Sequence, residues 1–130
     1  YGYPKDEEAA KKLCDFLVEK NDWTGIQYKV NGLSRGIFGY KKDPEAARKF
    51  IEELIVQNSR DGIYQKVDGL ENGKYGYPQD LQALRVFIDD LDKKNNAIGI
   101  PLKVEGMAFG LYGYSRSSKF IKKYLSLLEN

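Results

Sequence analysis

The stretch GIYQKVDGLENGKYGYPQD, residues 62–80, decides the fold, because it occurs three times. Thirty-seven residues earlier stands GIQYKVNGLSRGIFGYKKD (25–43), and thirty-seven later GIPLKVEGMAFGLYGYSRS (99–117). The beat extends beyond the quoted run. Gly-Tyr recurs at Gly2-Tyr3, Gly39-Tyr40, Gly76-Tyr77 and Gly113-Tyr114, and Leu17, Leu54, Leu91 and Leu128 keep the same step. So do Asn21, Asn58 and Asn95, the lysines Lys29, Lys66 and Lys103, and the glycines Gly25, Gly62 and Gly99 with Gly36, Gly73 and Gly110. A unit of this length that buries its apolar face by stacking on its neighbours makes a solenoid.

Each unit reads as two helices. The first runs near Glu7–Lys20, Pro44–Gln57 and Leu81–Lys94. Apolar residues recur there at helical spacing, as in Ala47, Phe50, Ile51 and Leu54. Asp43 is suited to cap the second copy and Pro44 to occupy its first position. Asn21, Asn58 and Asn95 fall where a left-handed residue ends a helix. The second helix runs near Trp23–Arg35 and its copies, with Ile26, Val30 and Leu33 on one stripe and Gly25 and Gly32 beside it. A glycine inside a helix costs about 1 kcal/mol relative to alanine, so its repetition in register points to close helix approach. Gly36 and Gly39 read as helix-end and turn glycines instead. Pro101 predicts that the third such helix starts late or kinks. The segment near Ser118–Glu129 repeats only the first helix, either as a cap or as an edge with half its core exposed.

The 130 residues are 42% hydrophobic and 31% charged, enough to build a core. No apolar run approaches the ~20 residues that cross a bilayer, so no membrane insertion is expected. The chain opens at Tyr1 and not at Met, so it reads as a trimmed or mature fragment from which a leader could have been removed. Basic and acidic residues balance in 1–37 and 38–74. The net charge of +2 arises from Arg116, Lys119, Lys122 and Lys123 near the end. Without a broad basic stripe, nucleic acid is not an expected partner. Histidine is absent and Cys14 is the one cysteine, which removes the commonest general base and any internal disulfide. Cys14 falls on the apolar face of its helix and reads as core. No motif for phosphate, metal or nucleophilic chemistry is present, so neither an enzyme nor a cofactor is expected.

The run Gly25, Leu33, Gly36, Gly39, Tyr40, Asp43, Ala47, Phe50, with its copy Gly62, Leu70, Gly73, Gly76, Tyr77, Asp80, Leu84, Phe87, resembles the Sel1-like repeat family, relatives of tetratricopeptide repeats. The resemblance covers nearly the whole chain. Two features depart from the family pattern: Lys29-Val30 stands where the family has Leu-Gly, and the glycine pair has one extra residue between its members. Tetratricopeptide repeats run 34 residues and lack the glycine-rich exit. The expected fold is therefore all-α: a single domain over 1–130, a right-handed αα superhelix with repeats near 1–37, 38–74 and 75–111 and a terminal helix in 112–130. The resemblance implies an adaptor that binds another protein or peptide, often bacterial and often exported to the periplasm or beyond. It does not define the oligomeric state.

Three sets of positions could carry function. Tyr1, Phe38, Tyr75 and Tyr112, with Tyr3, Tyr40, Tyr77 and Tyr114, could form an aromatic groove for peptides or for glycans of a cell wall, or could plug the joint between units. Lys29, Lys66 and Lys103 could grip an acidic partner, or could pair with Asp15, Glu52 and Asp89 across each hairpin. Positions that diverge between units favour binding, and among them Trp23, Tyr28, Arg35 and Tyr64 have the composition of interface hot spots.

Overall fold

The computed structural model describes residues 6–129, apart from the side chains of Leu127 and Leu128. Tyr1 and Tyr3 of the aromatic set lie outside the described residues. The chain forms two compact units, Tyr1–Pro78 and Gln79–Asn130. The first holds α1 (Glu7–Glu19), α2 (Trp23–Arg35), α3 (Pro44–Val56) and α4 (Arg60–Asn72), each packed on the next. The second holds α5 (Leu81–Lys93), α6 (Gly99–Phe109) and α7 (Ser118–Glu129), also packed consecutively. No strand occurs among the described residues.

The helix ends follow from local chemistry. Asp6, Asp43 and Asp80 accept the backbone N–H of Ala9, Ala46 and Ala83 at 3.0, 3.0 and 2.9 Å, starting α1, α3 and α5. Asp22 and Ser59 do the same for α2 and α4. The end of each first helix is turned by Asn21, Asn58 or Asn95, all left-handed at φ 58–59°. Gly36, Gly73 and Gly110 are the left-handed caps of α2, α4 and α6. The helix containing Pro101 starts late, at Gly99 and not at the register position Ala97, with no side-chain cap. Pro101 thus falls in the first turn, where its missing donor has no intrahelical partner to lose.

Core packing differs little between the units. Ile26, Val30, Ala47 and Ile51 are wholly buried in the first, Leu84 and Ile88 in the second. Burying a valine, leucine or isoleucine side chain of this kind stabilises the fold by about 1.5–3 kcal/mol. The helical glycines sit where a side chain would collide. A Cβ on Gly62 would lie 2.7 Å from Leu54 Cβ, and one on Gly99 2.8 Å from Leu91 Cβ. A Cβ on Gly69 or Gly106 would meet the ring of Tyr77 or Tyr114 at 2.5 Å. These glycines let each hairpin close and let the following tyrosine ring pack against the helix.

Candidate functional site

The tyrosines of the exit loops are held from two sides. Tyr40, Tyr77 and Tyr114 are 7–8% exposed, each ring against a glycine of the preceding helix. Each hydroxyl donates to a carboxylate 25 residues back: Tyr40 to Asp15 at 2.6 Å, Tyr77 to Glu52, and Tyr114 to Asp89 at 2.5 Å. Burial, and then the adjacent carboxylate, pushes all three phenols well above their ordinary range. Two residues before each of these tyrosines, Phe38, Tyr75 and Tyr112 adopt left-handed backbone at φ 57–59°, an unusual state for bulky side chains. Tyr75 donates to Asp68 and Tyr112 to Glu105, both at 2.9 Å. In the first repeat Phe38 lacks the hydroxyl and the matching residue, Asn31, lacks the charge, so both members of the pair change together. Phe38 instead lies against Tyr28, with ring centroids 4.9 Å apart.

The lysines divide. Lys66 pairs with Glu52 at 3.1 Å, and Lys103 with Asp89 at 3.2 Å and Asp92 at 3.4 Å. Burial opposes the charge of Lys103, but its two carboxylates outweigh that and raise its pKa. The pairing expected between Lys29 and Asp15 does not form. Asp15 is taken by the Tyr40 hydroxyl, and the Lys29 ammonium lies over the Phe50 ring, 4.6 Å from its centroid. The aromatic face there supplies a cation site that competes with the carboxylate. All three lysines are therefore engaged within the fold.

The divergent positions do not share one face. On α2, Tyr28 and Arg35 lie about 20° apart in projection, two turns from each other, while Trp23 lies about 140° from Tyr28. Tyr64 on α4 corresponds in register to Gln27, not to Tyr28. It is at the edge of exposure, with Arg60 stacked 5.5 Å from its ring centroid. Trp23 and Tyr28 are 44% and 42% exposed. The register partners of Tyr28 are buried: Gln65 at 3% and Leu102 at 5%. Part of the divergence at this position therefore reflects packing and not recognition.

Compared with known proteins, the chain matches no family model, no curated protein and no solved structure.

A groove of about 790 Å³ lies within the first unit. Asn31, Ser34 and Arg35 from the end of α2 form one wall. Pro44 of α3 and the exit loop from Gly73 to Pro78 form the other. Sequence reasoning did not identify this groove, because the end of α2 and the exit loop after α4 lie about forty residues apart and are brought together by the packing of α2 on α3 and α3 on α4. Arg35 is exposed and has no acidic partner among the described residues, so its guanidinium is free to take a carboxylate at the groove edge. Cys14 is 3% exposed, and burial followed by the neighbouring Asp15 raises its thiol pKa, which keeps it protonated. Among the described residues no three His, Cys, Asp or Glu side chains converge to hold a metal ion.

Proposed function

We propose that this chain is a helical-repeat scaffold that binds another protein or peptide, with the exposed side of α2 and the groove beside Arg35 as the interface. In this reading the repeats stack as a right-handed αα superhelix over the whole chain, of the kind that the Sel1-like resemblance implies, and no catalysis is performed. One observation carries it. The positions that repeat identically are spent on packing, whereas Trp23, Tyr28 and Arg35 differ between repeats and remain exposed. Tyr28 and Arg35 share a face of α2 two turns apart, and Arg35 lines the groove, giving an aromatic anchor and, farther along the helix, an unpaired cation. Such a site suits an extended segment with an apolar residue followed by a carboxylate. The glycan reading draws less support, since Tyr40, Tyr75, Tyr77 and Tyr114 keep their ring faces from water.

The test is retention of a partner from source-cell lysate by the wild-type chain beside a Tyr28→Ala, Arg35→Ala, Tyr64→Ala variant. Retention of a protein by the wild type, lost in a variant of unchanged helical content, is expected. Equal retention by both proteins would remove the α2 face as the interface. No retained protein at all would turn the question back to glycans.

A further inference from the structure

The last helix departs from its three homologues in charge. α1 carries two lysines against Glu7, Glu8, Asp15 and Glu19. α3 carries Arg48 and Lys49 against Glu45, Glu52 and Glu53, and α5 Arg85 and Lys93 against Asp89, Asp90 and Asp92. α7 carries Lys119, Lys122 and Lys123 against Glu129 alone. The cations keep their register, since Lys122 continues Lys11, Arg48 and Arg85, while the acids have gone. Ser126 stands where Asp15, Glu52 and Asp89 stand, and Lys119 where Glu8 and Glu45 stand.

The acid lost at the Lys119 position is the helical partner of such cations. In α1, Lys12 pairs with Glu8 at 3.5 Å, and in α3, Arg48 pairs with Glu45 at 2.5 Å. The equivalent pairs in α7 are Lys123 with Lys119 and Lys122 with Lys119. Attraction one turn apart has become repulsion, which destabilises a helix by itself. All three lysines are exposed, as is Arg116 just ahead of the helix, and none has an acidic partner among the described residues. They cover one side of α7, and Leu125, half exposed, borders that side next to Lys122.

We propose that this side of α7 is a docking surface for an acidic peptide segment of a partner protein, separate from the α2 face. Carboxylates placed over Lys119, Lys122 and Lys123 would replace the acids missing from the helix, and an apolar residue would cover Leu125. A lipid surface fits less well. Two aromatic side chains of α7 are engaged within the fold, Phe120 beneath Lys103 and Tyr124 against Phe120 and bonded to Asp92, and so are not presented for insertion. A duplex fits less well because the cations span about one helical turn, too short for a run of phosphate contacts.

The experiment measures fluorescence anisotropy of a fluorescein-labelled oligoglutamate peptide with the full chain. Vesicles of phosphatidylserine in phosphatidylcholine and a duplex DNA serve as comparison probes. Peptide binding that weakens with added salt is expected. Lys119→Gln, Lys122→Gln, Lys123→Gln should lower peptide affinity about tenfold, whereas Lys11→Gln, Lys12→Gln, Lys49→Gln, of equal net charge, should change it less than about twofold. Lys119→Glu restores the pairs seen in α1 and α3. It should also weaken peptide binding while leaving the melting temperature unchanged or higher, which separates docking from folding. Equal losses in the two triple variants, undiminished binding by Lys119→Glu, or binding of vesicles or duplex without the peptide would each overturn the proposal.

Discussion

Gln65 occupies a position that the other repeats fill with Tyr28 and Leu102, and among the described residues it is the one whose side chain buries a polar atom without a partner. The side chain is 3% exposed, and its Oε1 has no hydrogen-bond partner among the described residues. An orphaned buried carbonyl costs about 1–3 kcal/mol of desolvation, whereas a leucine of similar volume has nothing to desolvate. Gln65→Leu, which copies Leu102, is therefore expected to stabilise the chain by about 1–2 kcal/mol, seen as a higher urea midpoint at unchanged slope. A lower midpoint would mean that the amide has a role in the native packing that its burial does not reveal. Sequence alone left this residue among the variable surface positions, because a helical wheel gives angle and not depth. The tyrosine–carboxylate bonds were more accessible. Tyr40 with Asp15, Tyr77 with Glu52 and Tyr114 with Asp89 all keep a 25-residue separation, so both partners lay on the 37-residue beat. They were missed because the same acids also face the lysines, and spacing cannot rank two candidate partners for one carboxylate. Lys29, drawn to Phe50 and not to Asp15, is the case where that ambiguity produced a wrong pairing.

Helices and their joints were the most legible level. Caps, left-handed asparagines and exit glycines are local chemistry, and the observed ends agree with the expected ones to within a residue or two. The late start of α6 followed from Pro101 for the same reason. What the sequence could only suggest was how near the helices approach, and the glycines allow that to be tested. At Gly62, alanine would recover about 1 kcal/mol of helix propensity. Its Cβ, however, would lie 2.7 Å from Leu54 Cβ and 3.2 Å from the α3 backbone, neither of which can swing aside. Overpacking of this kind costs about 1–3 kcal/mol, so the clash wins. Gly62→Ala is expected to destabilise the chain by up to about 2 kcal/mol net, measured as a fall in melting temperature. An alanine at Gly62 that raised the melting temperature would mean that α3 and α4 separate at little cost.

Across the molecule the repeated tyrosines link stability to alkaline pH. Burial and adjacent carboxylates raise Tyr40, Tyr77 and Tyr114, and Tyr75, against Asp68, is pushed up to about 12 from an ordinary 10.0. In the unfolded chain these phenols lose their protons near 10, whereas in the folded chain they keep them. Above that pH the folded state therefore binds more protons than the unfolded state, and stability falls as pH rises. The contribution is fully present below pH 10.0 and, for Tyr75, is lost as pH climbs through about 12. Lys103, also raised by its carboxylates, acts in the same direction. Thermal melts followed by circular dichroism from about pH 8 to about pH 11.5 should show a plateau and then a decline beginning near 10. Tyr75→Phe separates this linkage from general alkaline damage. Phenylalanine already occupies that position in the first repeat as Phe38, and the variant has one fewer phenol to titrate. Its decline should be shallower than that of the wild type. Identical slopes in the two proteins would mean that Tyr75 ionises alike in the folded and unfolded chains, and that the hydrogen bond to Asp68 does not hold its proton.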